Sequence, residues 1–231
     1  MKVEIWSDIV CPFCYIGKRK FEKALEGFAA KDKVEIEWKS FQLDPDLDNK
    51  EGLSVHAYLG KRKGGTEADG KRMNDHMTAM AKEVGLEYDF DKAIINNTFD
   101  AHRLLHLAKE KGLQNELKER LFRAYYTEGK DTADTDTLVQ LAGEVGLDEA
   151  EARKVLEQHL YEQEVSTDQY QAFQIGVQGV PFFVFNNKYA VSGAQSPEIF
   201  AQVLNKVWAE EKPALIVEQG EGFCDINGNC N

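Results

Sequence analysis

Apolar and polar residues alternate from Lys2 to Trp6, which is the period of a half-buried strand. The period then changes. Phe21, Ala24, Leu25 and Phe28 recur at i, i+3, i+4 and i+7, one face of a helix. Alternation returns from Val34 to Leu43, and Asp44-Pro45-Asp46 closes this second strand. Residues 46–72 are polar and glycine-bearing, and Gly64-Gly65 reads as a mobile loop. From about 66 to 176 the pattern is helical. Met73, Met77, Met80 and Val84 mark one face, and Ala101, Leu104, Leu105 and Ala108 a second, closed by Gly112. Leu117, Leu121, Ala124 and Tyr125 mark a third, and Leu138, Ala142 and Val145 a fourth, closed by Gly146. Asp148 and Glu151 form a capping-box-like start for a helix carrying Ala152, Val155, Leu156 and His159. A short helix from Thr167 carries Tyr170 and Phe173. Strand character resumes over Phe182–Asn186 and Tyr189–Val191, on either side of the turn-forming run Asn186-Asn187-Lys188. Ser196-Pro197 opens a last helix with Phe200, Val203, Leu204 and Val207 inside. The order is strand, helix, strand, long helical block, hairpin, helix, an α/β pattern.

Composition narrows the function. Of 231 residues, 42% are hydrophobic and 29% charged, a globular balance that excludes a wholly disordered chain. Forty acidic side chains against 28 Lys and Arg give a net charge of −12, unsuited to nucleic acid or anionic lipid, which need clustered cations. The apolar run from Gly179 to Phe185 is far short of the ~20 residues that span a bilayer. Residues 1–8 lack a basic segment followed by a long apolar one, so the expectation is a cytoplasmic protein.

Four cysteines then change the picture. Cys11 and Cys14 flank Pro12-Phe13, and Cys224 and Cys230 flank five residues near the C-terminus. Four thiolates binding zinc is one reading, but the five-residue gap fits zinc spacing poorly, and no metal site is expected. Inert core cysteines are a second reading. Redox chemistry is the third, and the surroundings of Cys11 favour it. Pro12 suits the first turn of the helix that follows, which puts Cys11 at a helix N-terminus. Unpaired N–H groups there stabilise a thiolate, so the sequence predicts a lowered Cys11 pKa, with Cys14 one turn on to resolve a mixed disulfide.

The element order with Cys11-Pro12-Phe13-Cys14 at the first helix resembles the thioredoxin fold with a large all-helical insertion. The chain further resembles the DsbA family, and within it the FrnE-like dithiol–disulfide isomerases. The matching stretches are Ser7-Asp8 with Cys11 to Gly17, Phe41-x-Leu43-x-Pro45, Asn97 with Ala101-His102-Arg103-Leu104, Gly176-Val177 with Gly179 to Val184, and Ser192 to Gln195. The resemblance implies a thioredoxin-fold domain at 1–45 and 176–211, an inserted helical domain at 46–175, and a tail at 212–231 bearing the second cysteine pair. It implies a thiol–disulfide oxidoreductase or isomerase in which Cys11 and Cys14 are catalytic. Pro12, Phe13, Val180 and Pro181 would bind substrate, the Val180-Pro181 bond being cis; from the residues alone, Pro181 also reads as a trans turn proline. The expected partner is a disulfide- or thiol-bearing protein or small thiol, with neither nucleic acid nor membrane. No bound cofactor is expected, glutathione being a candidate co-substrate. Cys224 and Cys230 form a second redox pair or a structural disulfide. The alternative is a glutathione-dependent enzyme of the kappa or 2-hydroxychromene-2-carboxylate isomerase type, which typically has Ser for the first Cys and lacks the second.

One position departs from the resemblance. Many thioredoxin-fold enzymes bury an acid six residues before the first active-site Cys, and Ile5 stands there. Proton transfer at Cys14 then needs water or another group. The histidines read as packed, hydrogen-bonded residues rather than ligands: His102 mid-helix, His159 on an apolar face, and His56, His76 and His106 without ligand spacing. Met73, Met77 and Met80 read as core in preference to the rim of a substrate groove.

Overall fold

A computed structural model describes residues 1–49 and 51–211. Four strands, β1 (Lys2–Ser7), β2 (Glu35–Ser40), β3 (Phe182–Phe185) and β4 (Tyr189–Ser192), form one sheet in the order β2-β1-β3-β4. β2 runs parallel to β1, with Val3 opposite Ile36 and Ile5 opposite Trp38. β3 runs antiparallel to β1 and pairs Phe183 with Ile5. The β3–β4 hairpin turns at Asn186 and Asn187, whose φ of 48° and 53° suit a two-residue turn that needs left-handed backbone at both positions.

Alternation along β1 sends its side chains to two different layers. Val3 and Ile5 join Phe21 and Phe28 from α1 (Pro12–Glu26) and its connection, and Phe200, Leu204 and Val207 from the C-terminal helix Pro197–Glu211. Trp6 points to the opposite face and packs with Val184, Ala172 and Val177. There its indole N–H donates to the Asp168 carbonyl at 2.9 Å.

Between β2 and β3 lie seven helices of the described residues: α2 (Val55–Arg62), α3 (Glu67–Glu83), α4 (Phe99–Glu110), α5 (Gln114–Tyr126), α6 (Thr135–Glu144), α7 (Glu149–Glu157) and α8 (Glu162–Gln174), so that Pro197–Glu211 is α9. Their core is continuous with the start of α1: Cys11, Cys14, Tyr15 and Ile16 are buried in the same cluster as Leu104, Leu121, Phe122 and Tyr126.

Three stretches differ from the sequence reading. Residues 55–62 form α2 rather than a polar loop, because the Ser54 hydroxyl caps the Ala57 N–H and two glycines let the helix pack tightly. A Cβ on Gly60 would lie 2.0 Å from the Thr66 carbonyl oxygen, and one on Gly70 1.9 Å from that of His56, so α2 and α3 approach backbone to backbone. Gly64-Gly65 is the turn between them. α8 begins at Glu162, five residues before Thr167, and buries Val165, Asp168 and Ala172. Tyr170 and Phe173 face outward, Phe173 being 77% exposed. α7 ends at Glu157, so His159 is on no helical face; it has a φ of 55° and its exposed ring meets Glu162 at 2.9 Å.

Candidate active site

Pro12 is the first residue of α1, and Cys11 precedes it in extended conformation with φ −91° and ψ 109°. The missing proline N–H costs nothing there, since the first turn of a helix has no acceptor for it. Cys11 is 4% exposed and Cys14 fully buried. Both are free thiols. The Cys11 Sγ lies 3.4 Å from the Val180 carbonyl oxygen, and the Val180-Pro181 bond is cis. The fold therefore brings together residues 11–14 and 180–181, which are 166 or more positions apart in sequence (180 − 14 = 166). Phe13 stands at the surface, 41% exposed. Cys224 and Cys230 lie outside the described residues.

A buried polar bed underlies the thiols. Asp8 is buried and accepts from the Leu43 N–H at 2.8 Å, and its carboxylate lies 3.4 Å from His102 Nε2. Burial opposes its charge, but hydrogen bonds from His102, Leu43 and Thr98 outweigh that and hold its carboxyl below the ordinary range. Burial pushes the His102 imidazole down against the pull of Asp8. Lys118 from α5 is fully buried, with its ammonium 3.4 Å from the Ser7 carbonyl oxygen.

The thiols behave differently from the sequence expectation. The hydrogen bond with Cys14, burial and the Cys14 charge push the Cys11 thiol well up, although the Cys14 N–H at the helix start works in the opposite direction. Asp8 adds repulsion. Two thiolates this close in a dry site oppose each other, so the pair titrates as a unit and keeps its second proton.

Above Cys11 opens a cavity of about 530 Å³. Its lining mixes residues flanking the thiols, Val10, Pro12 and Phe13, with Val55 and Leu59 of α2, Met73 and Met77 of α3, Tyr125 of α5, and Val180. Met77 is buried in the core and Met80 packs against it, as the sequence analysis expects, while Met73 and Met77 also line the groove, so both readings of the stripe hold in part. Tyr88 fixes the helix start beneath it, its hydroxyl donating to the Pro12 carbonyl at 2.9 Å. Arg62 at the mouth is already held by Asp44, the Tyr58 hydroxyl at 2.7 Å and the Leu43 carbonyl at 2.7 Å.

Gly17 sets how closely Pro181 approaches α1. A Cβ there would lie 2.9 Å from Pro181 Cγ and 3.4 Å from Ala194 Cβ. Gly17→Ala gains about 1 kcal/mol of helix propensity, which offsets the crowding in stability. It also moves Pro181 and Val180 away from Cys11. The expected result is a disulfide-exchange rate roughly tenfold lower with an unfolding midpoint close to the parent's, since small misplacements at a reacting centre cost rate. A rate equal to the parent's, measured at saturating substrate, would show that this approach distance is immaterial.

Sequence reasoning overlooked Asp8, His102 as its partner, Lys118, Tyr88 and Asp168. The last is buried under Lys39 at 2.6 Å and His106 at 3.3 Å. A signal for Lys118 existed. It sits between Leu117 and Leu121 and four residues before Phe122, so it is a lysine on the apolar face of its own helix. His102, His106 and His56 are hydrogen-bonded residues, His56 meeting Asp91 at 2.8 Å and Asn74 at 2.9 Å.

Comparison with known proteins adds four likenesses. A profile of the DSBA-like thioredoxin domain matches residues 2–205. The uncharacterized protein YwbO of Bacillus subtilis is 30% identical over 209 residues, covering 88% of this chain and 95% of its own. The crystal structure of a probable DsbA oxidoreductase, SCO1869 of Streptomyces coelicolor, superposes with a TM-score of 0.86 at 40% identity, over 99% of this chain and 97% of that one. The cytosolic disulfide reductase DsbM of Pseudomonas aeruginosa shares the fold, with a TM-score of 0.65 at 16% identity over 91% of this chain and 100% of that one.

Proposed function

The chain belongs to the DSBA-like thioredoxin domain family, and on that premise we propose that it is a FrnE-like thiol–disulfide oxidoreductase working through Cys11 and Cys14. The observation that carries this reading is the meeting of Cys11, at the start of α1, with the Val180 carbonyl 3.4 Å away on the floor of the cavity. Cys11 is the sulfur next to the cavity, so it meets the substrate. Its thiolate attacks one sulfur of the substrate disulfide, the substrate S–S bond breaks, and the leaving thiolate takes a proton from water. Cys14 then attacks Cys11, giving its proton to the solvent and releasing the second substrate thiol. In the reverse direction, oxidised Cys11–Cys14 accepts electrons from a dithiol. The Val180 backbone offers an extended substrate a strand-like partner.

The lining of the cavity bears on substrate class. The mostly apolar walls favour a cystine flanked by apolar residues of an extended peptide over glutathione, whose two carboxylates would meet one lysine without an ion pair, Lys63, Arg62 being held by Asp44. No helix of the described residues is long and apolar enough to cross a membrane. The reading places the protein in the cytoplasm, where thiol pools keep a dithiol reduced.

Cys14→Ser tests the reading. Incubated with oxidised insulin B-chain peptides or with glutathione disulfide, this variant accumulates a mixed disulfide on Cys11, visible by mass spectrometry and reversed by dithiothreitol. Accumulation with the apolar peptide and little with glutathione disulfide is the expected pattern. Absence of any adduct on Cys11 would remove the reading, and glutathione conjugation to an electrophile by the parent would replace it with the transferase alternative.

A further inference from the structure

A second cavity, of about 470 Å³, opens at the edge of the sheet. Trp6 of β1, Phe182 and Val184 of β3, Ala190 of β4 and Ile175 just after α8 give it apolar walls. Val3, Ile5, Phe183 and Phe185 pack toward α9, whereas Trp6 and Val184 pack toward α8, so the cavity lies on the face that α9 does not cover. It shares no lining residue with the cavity above Cys11, which makes it a groove separate from the exchange site. Its charged residues are already answered, Glu4 by Lys2 at 3.1 Å and Lys188 by Glu210 at 2.6 Å. Ile175 is 50% exposed, and Ala190 is exposed as well. Apolar walls, paired charges and uncovered apolar side chains call for an apolar occupant.

The end of α9 lies at the rim of this groove. Glu210 accepts from Lys188 at 2.6 Å and from the Tyr189 hydroxyl at 2.5 Å, and both of those residues line the groove. Glu211 accepts from the Asn186 side chain and lies 3.4 Å from the Met1 ammonium. The described residues end there, and the sequence continues Lys212-Pro213-Ala214-Leu215-Ile216-Val217. Residues 214–217 are the longest apolar run after Glu211. Proline just past a helix end does not extend the helix, and Leu, Ile and Val together suit extended backbone. The run begins three residues beyond Glu211 (214 − 211 = 3), about 10 Å of extended chain from the rim. A second copy is a poorer occupant, because a net charge of −12 makes two chains repel. A segment on so short a tether is present at an effective concentration of order millimolar.

We propose that residues 214–217 of the same chain dock in this groove and cover the α8 side of the sheet edge, as α9 covers the other face. From Glu211 the chain rounds the β3–β4 turn and lays its apolar run against Ile175, Phe182, Val184 and Ala190. Because β4 is the edge strand, no described strand stands between the end of α9 and the groove. Docking removes the apolar surface of Ile175 and Ala190 from water together with that of the run itself, and the tether lowers the entropic cost of bringing them together. It also shields an open sheet edge, which otherwise offers a template to another chain. The inference is independent of the roles assigned to Cys11 and Cys14.

Two measurements on the full-length protein test the docking. In the first, a benzophenone amino acid replaces Ala190, whose exposed position tolerates a larger side chain. Photolysis in dilute solution, digestion and mass spectrometry then map what it touches. The expected product joins position 190 to a peptide within residues 212–219, in a chain of monomer mass. A link between two chains, or none to residues 212–219, would overturn the proposal. In the second, Leu215→Asp/Ile216→Asp puts a charge on each side of an extended run and leaves residues 1–211 unchanged. Hydroxyl-radical footprinting of this variant is expected to oxidise Ile175 and Tyr189 at least threefold faster than in the parent. Phe13 and Ile94, exposed and outside the groove, serve as references whose rates stay the same, which separates undocking from a general loss of structure. Equal oxidation of Ile175 and Tyr189 in variant and parent would equally overturn it, since the groove would then be open in both.

Discussion

Cys11→Ser reduces insulin or peptide disulfides at a rate on the order of 10³-fold or more below the parent, with an unfolding midpoint within a few degrees of it. The size follows from the chemistry. A serine hydroxyl at this site stays protonated near neutral pH, and its oxygen forms no disulfide, so both the attack and the covalent intermediate are lost. A factor of 10³ corresponds to about 4 kcal/mol of barrier. Stability changes little, because the oxygen is smaller than sulfur and keeps a hydrogen-bond donor facing the Val180 carbonyl, 3.4 Å from the sulfur in the parent. The parent's exchange rate should also rise with pH as the first thiol of the pair ionises, and then level, since the second proton is held by the coupling of the two sulfurs. A Cys11→Ser variant that still turns over insulin at a tenth of the parent's rate would move the nucleophile elsewhere.

The ends of the chain were the legible part of this fold. β1, α1, the Asn186-Asn187 turn and α9 have local causes: strict alternation, proline at a first helical position, two asparagines that tolerate positive φ, and Ser196-Pro197 before an apolar face. Cys11 and Cys14 were legible for the same reason, their spacing and the helix start being local. Pro181 was reached through resemblance, since nothing in residues 176–185 says that their carbonyls face residue 11. The inserted block was harder. α2 was hidden because its tight crossing with α3 is made by Gly60 and Gly70, residues that weaken a helical pattern when read alone. The face of α8 was misread because its inward residue is an acid, Asp168, answered by Lys39 and His106 from elsewhere in the chain. The polar bed under the thiols shares that cause: Asp8, His102 and Lys118 are 94 and 16 residues apart in sequence (102 − 8 = 94, 118 − 102 = 16) and acquire a common purpose only when packed. The raised Cys11 thiol comes from its hydrogen bond with Cys14, from burial and from the neighbouring negative charge, which a helix-start argument does not contain.

Arg103→Met carries the largest expected loss of stability. Arg103 is buried on α4, and its guanidinium works as a bracket between helices. It donates to the carbonyls of Val155 at 2.7 Å, Leu156 at 3.2 Å and Leu160 at 3.3 Å, which lie at and beyond the last turn of α7. The remaining donors bind Asp100 at 2.7 and 3.1 Å. A helix leaves its last carbonyls without intrahelical partners, and a cation beside them answers both the hydrogen-bonding need and the helix dipole. Methionine fills much the same space. The Val155 carbonyl keeps the Leu160 N–H at 3.0 Å, but the Leu156 and Leu160 carbonyls lose the partner they have in the parent, each loss costing about 1–3 kcal/mol. Geometry at 3.2–3.3 Å is weaker than at 2.7 Å, so with the weakened hold on Val155 the sum is about 3 kcal/mol. For a chain of this length that lowers the unfolding midpoint by roughly 6–12 °C. Asp100→Asn is the companion measurement. Its carboxylate is partly exposed and pairs with Arg103, so its loss costs about 1 kcal/mol. Thermal unfolding of both variants in the reduced state, where the Cys11–Cys14 bond contributes nothing, gives the comparison. An Arg103→Met midpoint within two or three degrees of the parent's would mean that those carbonyls find water instead, and that α7 is held by its apolar face alone.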